Sequence, residues 1–251
     1  IIPPLFLKIH YHQSMGKILI IIFFIFTFIP LQSNSSEFIS FSIEKSIYES
    51  LSSTQKENIS TKIAELNEFF NQEVFPQIPD SIISRIKGLK LTINFNDKSE
   101  HNGLFIPDEI NKNHKIIIQL IQLNSNGLKA LIAHEFFHAV HYELNPNESP
   151  WIREGLAQVF EFMVTNELNG GNLRAAISDP LTPLIGTYHL ESPIPAQYGH
   201  NMLYFYYLYK HCGEASLFWD ITMGQQGLKD TELLNTILKK QQSSKNQCRN
   251  F

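Results

Sequence analysis

Apolar positions in the first third of the chain recur at the spacing of α-helices. A polar break, SSTQKEN, divides the pattern between residues 41 and 75 into two amphipathic helices. Their apolar positions are Ile43, Ile47, Leu51, Ile59, Ile63, Leu66 and Phe70. A short third helix, IISRIKG, has Asp80 or Ser81 as its cap and ends at Gly88.

The period then changes to the two-residue alternation of β-strands. The segment LKLTINF alternates apolar and polar residues, so that one of its faces meets a core. LFIP predicts a short extended piece, and KIIIQLIQL predicts a more buried strand. Three strands are therefore expected before residue 128.

Helical spacing returns in the second half of the chain. A helix is predicted over residues 128 to 143, where the prolines of NPNESP end it, and a second over residues 151 to 166. Further helices follow a long proline-containing connection, of a length typical of functional or disordered loops. The pattern predicts an α+β fold in which a small sheet packs on the helix at residues 128 to 143, followed by a mainly helical carboxyl-terminal half.

Residues 15 to 35 have the layout of a secretory signal peptide. Lys17 precedes an unbroken apolar run over residues 18 to 29. This run is shorter than the roughly 20 residues of a spanning helix, so a permanent membrane anchor is the weaker alternative. We expect cleavage between Ser33 and Glu37 and an exported protein, periplasmic or extracellular, with no stable membrane span afterwards.

Composition and charge exclude some classes of partner. The chain has 251 residues, of which 43% are hydrophobic, enough to bury a core. Its formal net charge is −4, and its lysines and arginines are scattered, so no nucleic-acid surface is expected. Cys212 and Cys248 are poor candidates for metal ligands because neither belongs to a C-x-x-C pair. They form either one disulfide or two separate thiols.

The segment AHEFFHAVH carries the candidate chemistry. His134 and His138 lie about 40° apart on one helix face, so that both imidazoles can bind one ion. Glu135 points about a quarter turn away, where it can reach a water on the metal without binding the metal. Two imidazoles and one carboxylate hold Zn²⁺ with an open fourth position, and Glu154 in WIREGLAQ is the expected third ligand.

HEFFH followed by WIREGLA resembles the gluzincin metallopeptidases, in which a W-x-x-E-G-x-A segment supplies the glutamate ligand. The aminopeptidase-type and peptidase MA-like members are the most similar. The resemblance covers residues 130 to 160 directly and, in element order, residues 89 to 222. It implies a zincin-like fold, a Zn²⁺ cofactor, a peptide or protein substrate and Glu135 as general base. The metzincin pattern requires Gly and His at two positions where this chain has His141 and Leu144.

The same resemblance implies a group that stabilises the oxyanion of the reaction. Tyr198 and His200 both lie near the start of a helix, and Tyr198 is favoured because a Y-G pair at such a junction resembles the family pattern. His189 is a weaker candidate. Zincins also lay substrates along an edge strand, and either residues 103 to 106 or the strand KIIIQL is expected to be that edge.

Three more polar residues lie near the predicted site. His141 is interpreted as an alternative ligand, a support for a ligand, or an ordinary polar residue at the end of the helix. Gln158 lies where related enzymes place a carboxylate that orients a ligand histidine. Glu161, one turn further, is the alternative for that role, and a solvated or core-capping position is as consistent with its sequence context.

The sequence therefore predicts an exported zinc-dependent peptidase. Its expected organisation is translated upstream sequence over residues 1 to 14, the signal peptide over 15 to 35, and one catalytic domain over 36 to 251. Within that domain, residues 36 to 145 hold the sheet and the H-E-x-x-H helix, and residues 146 to 251 form the helical half. A non-catalytic binding protein on the same scaffold and a zinc hydrolase of a non-peptide amide or ester remain alternatives.

Overall fold

A four-stranded mixed sheet lies near the amino-terminal end of the part of the chain that the structure describes. The structure, a computed structural model, describes residues 38–97, 99–185 and 195–245. The predicted signal peptide and His189 lie outside these ranges. The strands are β1 (Ile39–Ile43), β2 (Lys90–Asn96), β3 (Gly103–Ile106) and β4 (Asn113–Gln119). Their spatial order is β1-β2-β4-β3, with β1, β2 and β4 parallel and β3 antiparallel to β4 at one edge.

Strand β1 corrects the prediction of a helix from residue 41. ISFSI alternates apolar and serine positions, and this period of two lets Ile39 pair with Leu91 and Ile43 with Phe95. Of the first predicted helix, only the segment α1 (Lys45–Ser50) is helical. Local spacing misled the prediction because pairing with β2, which is distant in sequence, decides the conformation.

The remaining helices follow the predicted order. Helix α2 begins with a capping box, in which Ser52 and Gln55 exchange backbone and side-chain hydrogen bonds. The helices are α2 (Ser53–Phe69), α3 (Asp80–Arg85), α4 (Leu128–Leu144), α5 (Pro150–Thr165), α6 (Gly170–Ser178), α7 (Pro195–Cys212), α8 (Glu214–Met223) and α9 (Asp230–Lys245). An α+β fold with a small sheet and a mainly helical second half is thus confirmed.

The core joins the sheet to α4, α5 and α8. Alternate residues of β2 and β4 are buried on one face of the sheet, and α4 contacts both β3 and β4. On its other side α4 packs against α5 and α8 through aromatic rings, with Phe137 stacked 5.1 Å from Phe160 and lying 5.2 Å from Phe218. Because α4 is buried on several sides, polar residues on it require partners or a function.

Two further observations concern the predictions of export and anchoring. Among the described helices, none has both the length and the apolar content that crossing a membrane requires. Cys212 is disulfide-bonded. Cys248, the other cysteine of the sequence, lies outside the described residues.

Candidate metal centre

Three side chains from two helices converge at one point. On α4, one helical turn separates His134 from His138, and their Nε2 atoms lie 3.2 Å apart. Glu154 reaches them from α5, with its Oε2 3.3 Å from Nε2 of His134 and its Oε1 3.4 Å from Nε2 of His138. The prolines after α4 turn the chain back, so that the start of α5 lies beside the middle of α4.

The spacing of these donor atoms fits a metal ion. In a tetrahedral zinc site with Zn–N bonds of about 2.0–2.1 Å, neighbouring ligand atoms are about 3.3–3.4 Å apart. The two histidine nitrogens are 3.2 Å apart, close to this value, and each carboxylate oxygen of Glu154 lies 3.3 or 3.4 Å from one of them. Taken with one atom from each residue, the three ligand atoms all lie within 4.8 Å of one another. Among the described residues this is the one group of three or more potential ligands that meets at a point, and it can hold a metal ion.

Protonation of the cluster is coupled to its geometry. Burial lowers the pKa of His134, but the carboxylates of Glu154 and Glu161 outweigh this effect and raise the pKa well above 6.5. Burial raises the pKa of the Glu154 carboxyl, yet the charge on His138 and the hydrogen bonds with both histidines outweigh it and hold this pKa far below its usual range. Without metal, His134 keeps a proton that a metal ion would replace.

The other face of His134 meets a carboxylate from further along α5. Oε2 of Glu161, a residue only 7% exposed, lies 3.6 Å from Nδ1 of His134. Gln158 is used elsewhere: its Nε2 donates to the carbonyl of Tyr198 at 3.0 Å, and its Oε1 accepts from Asn172 at 2.8 Å. Of the two alternatives that the sequence offered, Glu161 faces His134 and Gln158 joins α5 to α6 and α7.

Glu135 lies beside the cluster under the edge strand β3. Its side chain is 7% exposed, and no described group hydrogen-bonds its carboxylate. A Cβ added to Gly103 of β3 would lie 2.8 Å from Oε1 of Glu135 and 2.9 Å from Cδ1 of Leu131. Glycine at the start of β3 therefore provides the space in which this carboxylate sits.

Tyr198 and His200, the two candidate oxyanion donors, face different surroundings. Tyr198 lies in the first turn of α7 and lines the same cleft as Glu135. Burial raises the pKa of its hydroxyl, and the charges of Glu154 and Glu135 raise it further. His200 instead directs Nδ1 at the carbonyl of Thr182, 2.7 Å away, and Nε2 at that of Ala176, 3.2 Å away. The structure thus places Tyr198 near the cluster and uses His200 to fix the end of α6.

His141 is a core residue with an unusual environment. It is fully buried, its ring packs 5.6 Å from that of Phe137, and neither ring nitrogen has a hydrogen-bond partner among the described residues. Burial lowers its pKa to about 3, with smaller contributions from His138 and Arg153. A neutral imidazole outside the cluster is not a ligand, so the alternative-ligand interpretation is not supported.

Sequence reasoning missed the contacts that fix the start of α5. Nε1 of Trp151 donates to Oδ1 of Asp230 at 2.6 Å, and Oε1 of Glu148 accepts from the backbone N–H of Asp230 at 2.8 Å. A Cβ on Gly155 would overlap the ring of Phe205 in α7. The Trp and Gly of the W-x-x-E-G segment therefore hold the turn that carries Glu154, and no local pattern reveals such distant partners.

A cleft of about 890 Å³ opens beside the cluster. Gly103 and Glu135 line one part of it, and Glu161, Tyr198 and His134 line another. A cleft with convergent polar groups is where a substrate is expected to bind.

Comparisons with known proteins assign no family to this chain. No family model matches it, and no curated protein matches it either. The geometry of the described residues is therefore the basis for any statement about function.

Proposed function

We propose that the protein is an exported, zinc-dependent peptidase of the gluzincin type. The observation that supports it most strongly is the convergence of His134, His138 and Glu154 into a group that can hold a metal ion, with the Glu135 carboxylate beside them. A purely structural metal site would favour a fourth protein ligand and would not need Glu135.

Zinc is the proposed metal because of the chemistry of the donors. Two imidazoles and one carboxylate are the three protein ligands of several catalytic zinc sites, which keep one position open. When bound, zinc would act as a Lewis acid and lower the pKa of a coordinated water to about 7. Glu161 supports the assignment, since a carboxylate on the far nitrogen of a ligand histidine fixes the orientation of its ring.

Glu135 is the proposed general base and acid. Its carboxylate is buried, lines the cleft and has no described hydrogen-bond partner that would compete for a water. In the proposed reaction it accepts a proton from the attacking water and delivers that proton to the nitrogen of the leaving amine. The peptide C–N bond breaks as the amine departs, which gives a free carboxylate and a free amine.

Strand β3 is the proposed docking edge for an extended substrate. The backbone N–H of Gln119 donates to the carbonyl of Asn102 at 3.0 Å, so residues 102, 104 and 106 direct their backbone groups at β4. The N–H and C=O groups of Gly103 and Phe105 consequently point to the free side of the edge. Backbone pairing there would place a peptide beside Glu135 without demanding a particular sequence.

Tyr198 is the proposed donor to the oxyanion. Because its pKa is raised, the hydroxyl keeps its proton at neutral and alkaline pH and remains able to donate. One such donor is typically worth about 10²–10³ in kcat.

Export is supported by two features. The amino-terminal layout with Lys17 and the apolar run is typical of a signal peptide, and Cys212 is disulfide-bonded. Disulfides persist mainly in oxidising compartments outside the cytosol.

The experiment that tests this proposal combines metal analysis with a substrate screen. Mature protein purified without chelators is analysed for metals and incubated with a mixed peptide library, whose products are read by mass spectrometry. We expect one zinc per chain and cleavage that stops after dialysis against a chelator and returns with Zn²⁺. Bound zinc with no cleaved peptide would favour the binding-protein alternative. Cleavage confined to non-peptide amides or esters would favour the alternative of a zinc hydrolase that acts on such bonds.

A further inference from the structure

Three exposed carboxylates line the cleft beside the candidate metal centre. Glu73 lies in the π-helical turn after α2, Glu100 in the turn between β2 and β3, and Glu167 just after α5. All three are exposed residues that line the cleft, and no described group forms an ion pair or hydrogen bond with their carboxylates. They come from three separate elements, so the charge is distributed around the opening.

Little positive charge opposes these groups. Lys129 is the one lysine or arginine among the described residues that line the cleft, and His101 is a further ionisable group on the rim. With His101 neutral, the rim has an excess of two negative charges. Clefts lined by one sign of charge concentrate the electric field and raise the local concentration of the opposite charge.

A further carboxylate, that of Glu135, lines the same cleft. Glu135 is 7% exposed and has no hydrogen-bond partner among the described residues. A carboxylate is stabilised when a positively charged group approaches it. A bound Zn²⁺ would offset the charge of Glu135 near the metal ligands, so the negative potential that attracts a substrate cation is set mainly by the rim carboxylates.

An aromatic ring in the cleft already binds a cation. The ammonium of Lys129 lies 5.1 Å from the centroid of Phe69, and both residues line the cleft. Cations over aromatic faces are stabilised by the ring quadrupole, and the aliphatic stem of a lysine or arginine packs on apolar surface. The one lysine of the cleft lining is thus held against Phe69, and the exposed rim carboxylates are the groups that can meet a substrate cation.

We propose that the cleft selects peptides that carry a lysine or arginine side chain next to the scissile bond. The selectivity rests on the proposed peptidase function and names its substrate class. The ammonium or guanidinium group lies among Glu73, Glu100 and Glu167, and the backbone of the peptide follows β3. Because the rim carboxylates are exposed, salt screens them and weakens the preference.

Matched peptides test this selectivity. One cleaved sequence is synthesised with Lys, Arg, Gln or Glu at the position next to the scissile bond, and kcat/KM is measured at low and high salt. We expect Lys and Arg to exceed Gln by about tenfold at low salt, a difference of about 1.4 kcal/mol, with Glu the poorest substrate. Equal kcat/KM values for Lys, Gln and Glu would overturn the proposal.

Variants assign the effect to the rim. In the triple variant Glu73→Gln, Glu100→Gln, Glu167→Gln, the ratio of kcat/KM for the Lys and Arg peptides to that for the Gln peptide should fall to about one. Its control carries Glu49→Gln, Glu57→Gln and Glu232→Gln, three exposed positions outside the cleft lining, and should keep the preference. A preference that survives in the cleft variant would assign the selectivity elsewhere and contradict the proposal.

A binding measurement separates this inference from the proposed function. Fluorescence anisotropy with the Glu135→Gln variant reports the Kd of labelled Lys, Gln and Glu peptides without any cleavage. If the parent protein cleaves no peptide, the proposed function fails, and tighter binding of the Lys peptide still supports a cation-selective cleft. Equal Kd values for the three peptides overturn the cleft inference even where cleavage is observed.

Discussion

Tyr198 and His200 lie two residues apart on α7 and have different roles because of their contacts. Both ring nitrogens of His200 face backbone carbonyls, so its hydrogen-bonding capacity is used in fixing the chain after α6. Tyr198 faces the cleft, and burial together with two nearby carboxylates keeps its hydroxyl protonated. At the scale of single residues, the roles follow from the partners rather than from the residue types.

Replacing Tyr198 with Phe tests this difference. Tyr198→Phe removes one hydroxyl and leaves the ring, so we expect zinc content and melting temperature to stay near the parent values. The kcat for peptide cleavage should fall about 10²–10³-fold because the oxyanion loses a donor. Tyr204→Phe, at another largely buried tyrosine of α7 that does not line the cleft, is the control and should keep the parent kcat. Equal rates for both variants would remove Tyr198 from the site.

At the scale of elements, the close contact between β3 and α4 sets the position of Glu135. The carboxyl-terminal end of α4 is fixed to the sheet as well, since Nε2 of the buried His114 in β4 lies 2.9 Å from Oε1 of Glu143. Nδ1 of His114 accepts from the N–H of Asp108 at 2.8 Å, which leaves Nε2 to donate to Glu143. Helix α4 is thus held against the sheet by two contacts. Glu143 near its carboxyl-terminal end contacts β4, and Leu131 and Glu135 lie against Gly103 of β3.

A methyl group on Gly103 should disturb that contact. The Cβ of Gly103→Ala would approach the Glu135 carboxylate and Leu131 within 3 Å, so that the carboxylate must move. Displacement of a reacting group by about 1 Å can cost about 10² in rate, and we expect a loss of that size in kcat with zinc retained. In the control Gly127→Ala, the nearest atom to the new Cβ would be Oγ of Ser125 at 3.5 Å, an ordinary contact. A Gly103→Ala protein as active as this control would show that β3 does not position Glu135.

Elements that are determined by residues close together in the sequence could be predicted, and those that depend on distant contacts could not. Helices α4 and α5 were predictable, because apolar spacing and the prolines between them are sequence-local signals. The H-E-x-x-H and W-x-x-E-G segments placed the three candidate ligands on them. Strand β1 was missed because its pairing with β2 joins residues far apart in sequence. The same limit hid the bond between Trp151 and Asp230 and the use of Gln158 and Glu161. Their partners become known only when the helices pack.

At the scale of the whole molecule, buried His141 makes stability depend on pH. Its pKa is about 3 in the folded protein, against an ordinary value of 6.5. Between these pH values His141 is protonated in the unfolded chain but neutral in the folded protein. The free energy of unfolding therefore falls as the pH drops below about 6.5. Its two ring nitrogens, which have no hydrogen-bond partner in the described part of the chain, also cost folding free energy at neutral pH.

A leucine at this position should reduce that dependence. His141→Leu removes the titrating group, so its free energy of unfolding should fall less between pH 7 and pH 5 than that of the parent protein. Denaturant unfolding at the two pH values measures the difference, with His211→Leu at an exposed histidine as the control that keeps the parent slope. Zinc content should remain one per chain. An unchanged slope would mean that His141 is not buried in a neutral form, and loss of zinc would make it a ligand.

The central proposal, a metal-dependent hydrolase with Glu135 as its base, is tested most directly by one paired measurement on Glu135→Gln. Zinc content and the rate of peptide cleavage are determined on the same preparation, beside the parent and a Glu57→Gln control. Glu135 is not one of the three converging ligands, so we expect one zinc per chain, an unchanged melting temperature and a rate lower by about 10⁴-fold. Cleavage at the parent rate by the zinc-loaded variant would contradict the proposed mechanism.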